Sequence, residues 1–257
     1  MRSDRRNDQR SLASRSVAVL RSFTSADPVL PLRTIAARAD LPKPTASRIC
    51  AELVELGLLE RVDADYRLGL GLFELGQRAW RQQALVPVAR PTMELLRAAT
   101  DRTISLAVLS GTEVVYLERL TAPRARVRTP AGDRRPALRT GLGKAILAHT
   151  APQLRHDIIA ATWQPDRAHP TPAMLERTLR RVVAEGVAYD LAESGKGILC
   201  VAAPLFGSDG QVLGSISATG FPTPRQMREA APMVARAAST ISHLLGAQRE
   251  AGPGATN

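Results

Sequence analysis

Apolar residues recur at helical spacing through the first quarter of the chain, then give way to alternating and continuous runs. Val17, Leu20 and Phe23 share one face of a helix that Ser16 is placed to cap. Pro28 and Pro31 break the pattern. Leu32, Ile35, Ala36 and Ala39 then trace a second short helix, closed by the turn Asp40-Leu41-Pro42. A third helix is predicted from Lys43 or Pro44 to Leu56, since proline is tolerated in a first turn. Its apolar stripe is Ala46, Ile49, Cys50, Leu53 and Leu56, and Gly57 ends it. Strand-like runs at 58–62 and 66–68 flank Asp63-Ala64-Asp65 and predict a small hairpin. Three helices, the last two joined by a short turn, followed by a hairpin, make a winged helix-turn-helix.

A helix from Gly71 to about Leu85 leaves this module, and Pro87 and Pro91 mark a boundary. The expected organisation is a mobile N-terminal arm (1–15), a winged helix-turn-helix (16–70), a linker helix (71–90), a second domain (91–248) and a disordered tail (249–257). In the second domain, runs at 103–109 and 113–120 form a hairpin about Ser110-Gly111. Residues 123–139 are rich in Arg and Pro and suggest an exposed loop or an edge segment. Helices are expected from Gly141, at 152–162 and at 172–185, then strands at 187–193, 198–206 and 211–220 and a last helix at 224–245. Strands at both ends with helices between them give an α+β class.

The 257 residues include 44% hydrophobic positions, enough for packed cores. No apolar run approaches the roughly 18–20 residues of a membrane span, and no apolar segment follows the charged N-terminus as in a signal peptide. Two cysteines, Cys50 and Cys200, exclude a disulfide-stapled scaffold and suit a reducing compartment, so a cytoplasmic protein is expected. The net charge is +11, from 35 basic and 24 acidic residues, and the parts before and after residue 84 are about equally basic per residue. Only three of the basic residues are lysines (Lys43, Lys144 and Lys196), so the excess reads equally as an overall preference for Arg. Local pattern must therefore carry any nucleic-acid assignment.

The helix at 43–56 supplies such a pattern. A helix that enters a major groove buries one stripe and offers short polar and cationic side chains near its N-terminus. Lys43, Pro44, Thr45, Ser47 and Arg48 stand there. Lys43 and the first amides suit phosphate, and Arg48 suits a bidentate contact with guanine. On the hairpin, Arg61 and Arg67 either lie beside the DNA backbone or are plain solvated charges. Cys50, on the buried stripe, is expected to be a small core residue.

Residues 32–69 resemble the DNA-binding half of the isocitrate-lyase-regulator (IclR) family of bacterial transcription factors. RTGLGKAILA (139–148), EGVAYDLAESGKGILCVAAPL (185–205) and DGQVLGSISATG (209–220) resemble three signature segments of that family's effector domain. The resemblance spans roughly residues 16–246 in order. It implies a winged-helix module joined by a helix to a GAF-like effector-binding domain. It also implies a homodimer or dimer of dimers on a double-stranded operator, and a small organic-acid effector. By the same resemblance the ligand-binding positions are Gly141, Leu142, Gly143, Asp190, Cys200, Ser217 and Thr219, with Glu193 at the acidic position before the cysteine. The sequence departs from the family at Thr219, where serine is common, and at Arg139, where histidine is frequent. No cofactor, metal or catalytic residue is implied.

The chemistry of those residues agrees. Glycines at 141 and 143 open a helix whose first amides lack intrahelical partners, favouring an anion; the alternative is that they only permit tight packing. Ser217 and Thr219 alternate along one strand and so share a face. Asp190 would accept from a ligand hydroxyl or repel a second carboxylate. The Arg-rich stretch from Arg119 to Arg139 lacks interleaved aromatic residues and is expected to be solvated or to contact another copy. A hydrolase or transferase using Cys200 would need a histidine in reach. His149, His156, His169 and His243 stand in no catalytic signature. A non-specific DNA-packaging protein would not need a second domain of metabolite-sensing size.

Overall fold

A computed structural model describes residues 11–24, 26–77, 85–123, 131–163, 171–195 and 197–250. They form two compact units that part at residues 83 and 84.

The first unit runs α1 (Leu12–Leu20), β1 (Val29–Leu30), α2 (Leu32–Ala39), α3 (Lys43–Glu55), β2 (Leu59–Val62), β3 (Asp65–Leu68) and α4 (Leu70–Gln77). Its core is Val19, Ile35, Ala46, Ile49, Cys50, Leu53, Leu59 and Tyr66. Helix α1 starts four residues before the expected Ser16, because Ser11 Oγ accepts from the Ser14 amide and caps it. Ser16 sits inside the helix and its hydroxyl donates to the Leu12 carbonyl. Residues 11–15 of the expected arm are thus cap and helix, and 1–10 lie outside the described residues.

Between Pro28 and Pro31, Val29 and Leu30 pair with Arg67 and Tyr66, so the wing is three-stranded in the order β1-β3-β2. Two residues between prolines are too few to show a period, and periodicity had no purchase there. The stripe of α3 is buried except at Leu56, which is 63% exposed. The helix ends at Glu55, and Gly57, with φ +69°, turns the chain before Leu56 reaches the core.

The second unit runs α5 (Leu85–Thr100), β4 (Thr103–Ser110), β5 (Glu113–Leu120), β6 (Arg134–Pro136), a 3-10 turn (Ala137–Arg139), α6 (Gly141–Ala148), α7 (Pro152–Thr162), α8 (Pro172–Glu185), β7 (Ala188–Leu191), β8 (Leu199–Phe206), β9 (Val212–Thr219) and α9 (Pro224–Glu250). The six strands form one antiparallel sheet in the order β6-β5-β4-β9-β8-β7. Alternation sends Ile104, Leu106, Val201, Leu205 and Ile216 to the face covered by α5 and α9. Ala107, Ala188 and Ala202 turn to the opposite face, under α6, α7 and α8.

Helix α5 runs through the prolines that were expected to mark a boundary. Pro87 lies in its first turn, where no amide bond is lost, and Pro91 forfeits one bond in the interior. Burial of Val88, Ala89, Met93 and Leu96 against the sheet offsets that loss. Residues 85–90, expected in the linker, therefore belong to the second unit; the rest of the expected linker beyond Gln77 lies outside the described residues. The last helix extends to Glu250, into the expected tail, and 251–257 lie outside the described residues. No helix among the described residues is long and apolar enough to cross a membrane.

An added Cβ at Gly57 meets nothing within 4 Å, so the cost of Gly57→Ala is conformational alone. It is expected to destabilise the winged-helix unit by about 1 kcal/mol, read as a lowered urea midpoint for exchange of its amide protons in the full chain. An unchanged midpoint would count against the left-handed turn.

Candidate functional site

In the first unit, burial of Ala46, Ile49, Cys50 and Leu53 fixes the rotation of α3. That leaves Lys43, Pro44 and Arg48 exposed, with Thr45 and Ser47 half-buried beside them. All five lie within the first two turns of the helix, with the amide ends of α3 facing the same region. The wing arginines have partners within the unit. Arg61 donates to the Tyr66 hydroxyl at 3.0 Å and lies 5.2 Å from its ring centroid. Arg67 pairs with Glu60 at 2.6 Å, and that hydrogen bond holds the Glu60 carboxyl below its ordinary range. Cys50 is fully buried, and burial pushes its thiol up to about 11, as expected of a core residue.

The second unit holds a cavity of about 120 Å³, lined by polar and apolar groups, between the sheet and the start of α6. Register builds its floor in two rows. Arg119, Ser105, Ser217 and Ala202 lie opposite one another on β5, β4, β9 and β8. Beside them Thr219, Cys200 and Asp190 align on β9, β8 and β7. Of the expected ligand-binding residues, Gly141, Leu142, Asp190, Cys200, Ser217 and Thr219 line the cavity. Ser217 Oγ is fully buried beside the Cys200 thiol and bonds no nitrogen or oxygen, although its strand neighbour Ser215 donates to the Leu142 carbonyl at 3.0 Å.

Gly143 and Glu193 have other places. Thr140 caps α6 by accepting from the Gly143 amide at 2.9 Å, and a Cβ at Gly143 would stand 2.1 Å from the Ala137 carbonyl oxygen. Gly143 thus allows α6 to close on the 3-10 turn, the tight-packing alternative, while Gly141 lines the cavity. Glu193 secures the loop after β7. Its carboxylate accepts from Lys144 at 2.6 Å, its carbonyl from Arg139 at 3.1 Å, and its amide donates to Asp190 at 2.7 Å. Lys144, buried on α6, is therefore a clamp residue; Lys196 lies outside the described residues.

Asp190 is buried and accepts from the Glu193 and Ser194 amides and the Ser194 hydroxyl. Burial raises its pKa, against the lowering effect of those hydrogen bonds. Both oxygens already serve the loop, so this carboxylate is more a support of the wall than an open acceptor. Burial likewise pushes the Cys200 thiol up to about 11, far from a reactive thiolate.

Tyr116, Arg119, Arg135, Ser105, Thr140, Ser194 and Ile198 also line the cavity, and none was expected there. Burial pushes the Tyr116 hydroxyl up to about 12 and lowers the Arg119 pKa. The Arg-rich stretch is therefore not uniformly solvated. Arg119 and Arg135 face the cavity, Arg139 holds the Glu193 loop, Arg134 pairs with Glu113, and Arg124, Arg126 and Arg128 lie outside the described residues. Among the described residues no group of three His, Cys, Asp or Glu is placed to hold a metal.

A winged helix-turn-helix with an exposed polar α3, and a separate sheet unit with a small cavity, define a ligand-responsive transcriptional regulator. Family models for the IclR helix-turn-helix domain and for the bacterial transcriptional regulator IclR C-terminal domain match residues 12–63 and 77–243. The chain belongs to the IclR family. It is 30% identical over 233 residues to the HTH-type transcriptional regulator BhcR of Paracoccus denitrificans, covering 87% of this chain and 83% of the relative. Identity to the regulator KdgR of Escherichia coli is 29% over 219 residues, covering 81% and 83%. An IclR homologue from Microbacterium hydrocarbonoxydans, solved in complex with 4-hydroxybenzoate, superposes with a TM-score of 0.81 at 29% identity, covering 91% of this chain and 99% of that one. These relatives are regulators, not enzymes, and nothing in them favours a nucleophilic role for Cys200.

Because burial raises Asp190, the folded chain binds that proton more tightly than the unfolded chain. The associated stability is full below the ordinary carboxylate value of about 3.9 and is lost as pH rises through the raised one. Asp190→Asn keeps an oxygen for the loop amides. Its melting temperature relative to the unaltered chain is expected to climb between about pH 3 and pH 7. Parallel pH profiles would contradict the assignment.

Proposed function

We propose that the chain controls transcription in the cytoplasm by binding a pseudo-palindromic duplex operator as a homodimer or a dimer of dimers. Its affinity for the operator is set by a small carboxylate-bearing metabolite in the second unit. The observation that carries the effector reading is Ser217 Oγ, fully buried, with only the neighbouring Cys200 thiol to interact with, and lining the cavity. A hydroxyl in that position costs free energy unless a guest completes its hydrogen bonding. The 4-hydroxybenzoate bound by the Microbacterium homologue supports an acid of similar bulk, since a cavity of order 150 Å³ holds one benzene ring.

Lys43, Pro44, Thr45, Ser47 and Arg48 form the groove-reading surface, with Arg61 and Arg67 beside the backbone. Dimerisation is supported by α4, which leaves Leu70, Phe73 and Leu75 exposed on eight residues. Two copies place two α3 helices on half-sites about 34 Å apart, one helical turn. Effector that favours one arrangement of the two modules shifts operator affinity by its differential affinity for the two, with the segment 71–85 as coupler.

Arg48→Ala is expected to weaken binding about tenfold to a hundredfold on duplexes selected by the unaltered protein from a random library, with effector binding intact. Equal affinity of the two proteins for those sites would remove Arg48 from the reading set. For the cavity, Ser217→Ala/Thr219→Ala is expected to lower calorimetric affinity for short carboxylic acids by about tenfold or more. Unaltered affinity would move the effector elsewhere.

A further inference from the structure

We propose that Gly141 sets the shape of the effector, leaving room for a small apolar branch on the carbon that bears its carboxyl group. This rests on the cavity being the effector site.

Nothing in the fold requires glycine at 141. Its φ is outside the left-handed region, unlike that of Gly57. It is the first residue of α6, where alanine would favour the helix more. Close packing does not require it either. A Cβ added at Gly143 would stand 2.1 Å from the Ala137 carbonyl oxygen, and backbone would have to move. A Cβ added at Gly141 would stand 3.4 Å from Cys200 Sγ, 3.5 Å from Ala202 Cβ and 3.6 Å from the Asp190 amide nitrogen, all ordinary van der Waals contacts. The fold thus carries a residue that weakens its helix and relieves no clash. At the edge of a cavity, such a departure belongs with function rather than with folding.

The missing side chain leaves a corner of the cavity bounded by Gly141, Cys200 and Asp190, all three of which line it. The Cys200 sulfur and the Ala202 methyl make that corner largely apolar, and the Asp190 oxygens are turned to Glu193 and Ser194 of the loop. The groups that suit a carboxylate stand beside it. Thr140 serves the Gly143 amide, the two amides before it lack intrahelical partners, and Ser217 and Thr219 line the same cavity. A carboxylate held there brings the carbon that bears it alongside Gly141. A branch on that carbon then occupies the space that a side chain at 141 would fill. In a cavity of about 120 Å³, one methyl group, close to a water molecule in size, decides whether the branch fits.

The test is calorimetry on the full-length chain with pairs of isomeric acids, isobutyrate against butyrate and pivalate against pentanoate, which differ in branching and not in carbon number. The unaltered chain is expected to bind the branched member of each pair about fourfold or more tightly, the gain from one further buried methyl group. Gly141→Ala is expected to reverse that order. Its melting temperature should equal or exceed that of the unaltered chain, whereas Gly143→Ala should lower it. Three outcomes would overturn the proposal while leaving the acid-binding cavity standing: straight-chain acids binding the unaltered chain as tightly as their branched isomers, a branched preference that survives Gly141→Ala, or a melting temperature lowered as far by Gly141→Ala as by Gly143→Ala. Failure of every acid to bind would overturn both.

Discussion

Helix α6 lies against the sheet, and still leaves space at its N-terminus, because the strands beneath it present only small side chains there. Ser105 and Ala107 on β4, Ser215, Ser217 and Thr219 on β9, and Cys200 and Ala202 on β8 share that face. The alternate residues of the same strands, Ile104, Leu106, Ile216, Val201 and Leu205, fill the opposite face under α5 and α9. Each methylene left out on the small side forgoes about 0.8 kcal/mol of burial. The large side supplies the stability that lets the small side remain open, so one sheet serves as both core and receptor.

Placing α6 accurately over this floor takes three contacts of different kinds. Ser215 Oγ holds the Leu142 carbonyl, Thr140 caps the Gly143 amide, and the absence of a side chain at Gly143 admits the Ala137 backbone. The loop after β7 then closes the wall. Asp190 organises it from within, while Lys144 and Arg139 draw Glu193 toward α6. The Lys144–Glu193 pair, buried at the lysine and half-buried at the carboxylate, thus links a helix and a loop that both border the cavity. Its contribution is to geometry, because the desolvation of Lys144 opposes what the attraction gains.

Much of this was legible in the residue pattern. The stripe Ala46, Ile49, Cys50 and Leu53 fixed which side of α3 would be exposed, and the alternation of Ser217 and Thr219 with Ala218 fixed which side of β9 would face the cavity. Both are local periodicities, and sequence records them directly. What stayed hidden depended on partners far along the chain. Arg119 reaches the cavity only because β5 slips by one residue against β4, and a slip belongs to a pair of strands rather than to either one. Helix α5 passes Pro91 because the sheet covers it, and Val29–Leu30 becomes a strand because β3 is there to pair with it. Leu56 failed in the reverse sense, since a period continued one residue past the point where backbone geometry ended the helix.

The Arg67–Glu60 pair on the wing has a consequence for how the molecule meets DNA. Glu60 accepts from Arg67 and also from the Leu70 amide at the start of α4, so its carboxylate offsets the Arg67 guanidinium in the free wing. An exposed pair of this kind is weak enough for a phosphate to compete with the carboxylate. On the proposed reading the undocked wing therefore adds little long-range pull toward arbitrary sequence, and first encounter is left to Lys43 and Arg48. On the same reading Arg67 turns to phosphate only once the wing is seated, which ties its grip to correct docking rather than to polyanion alone.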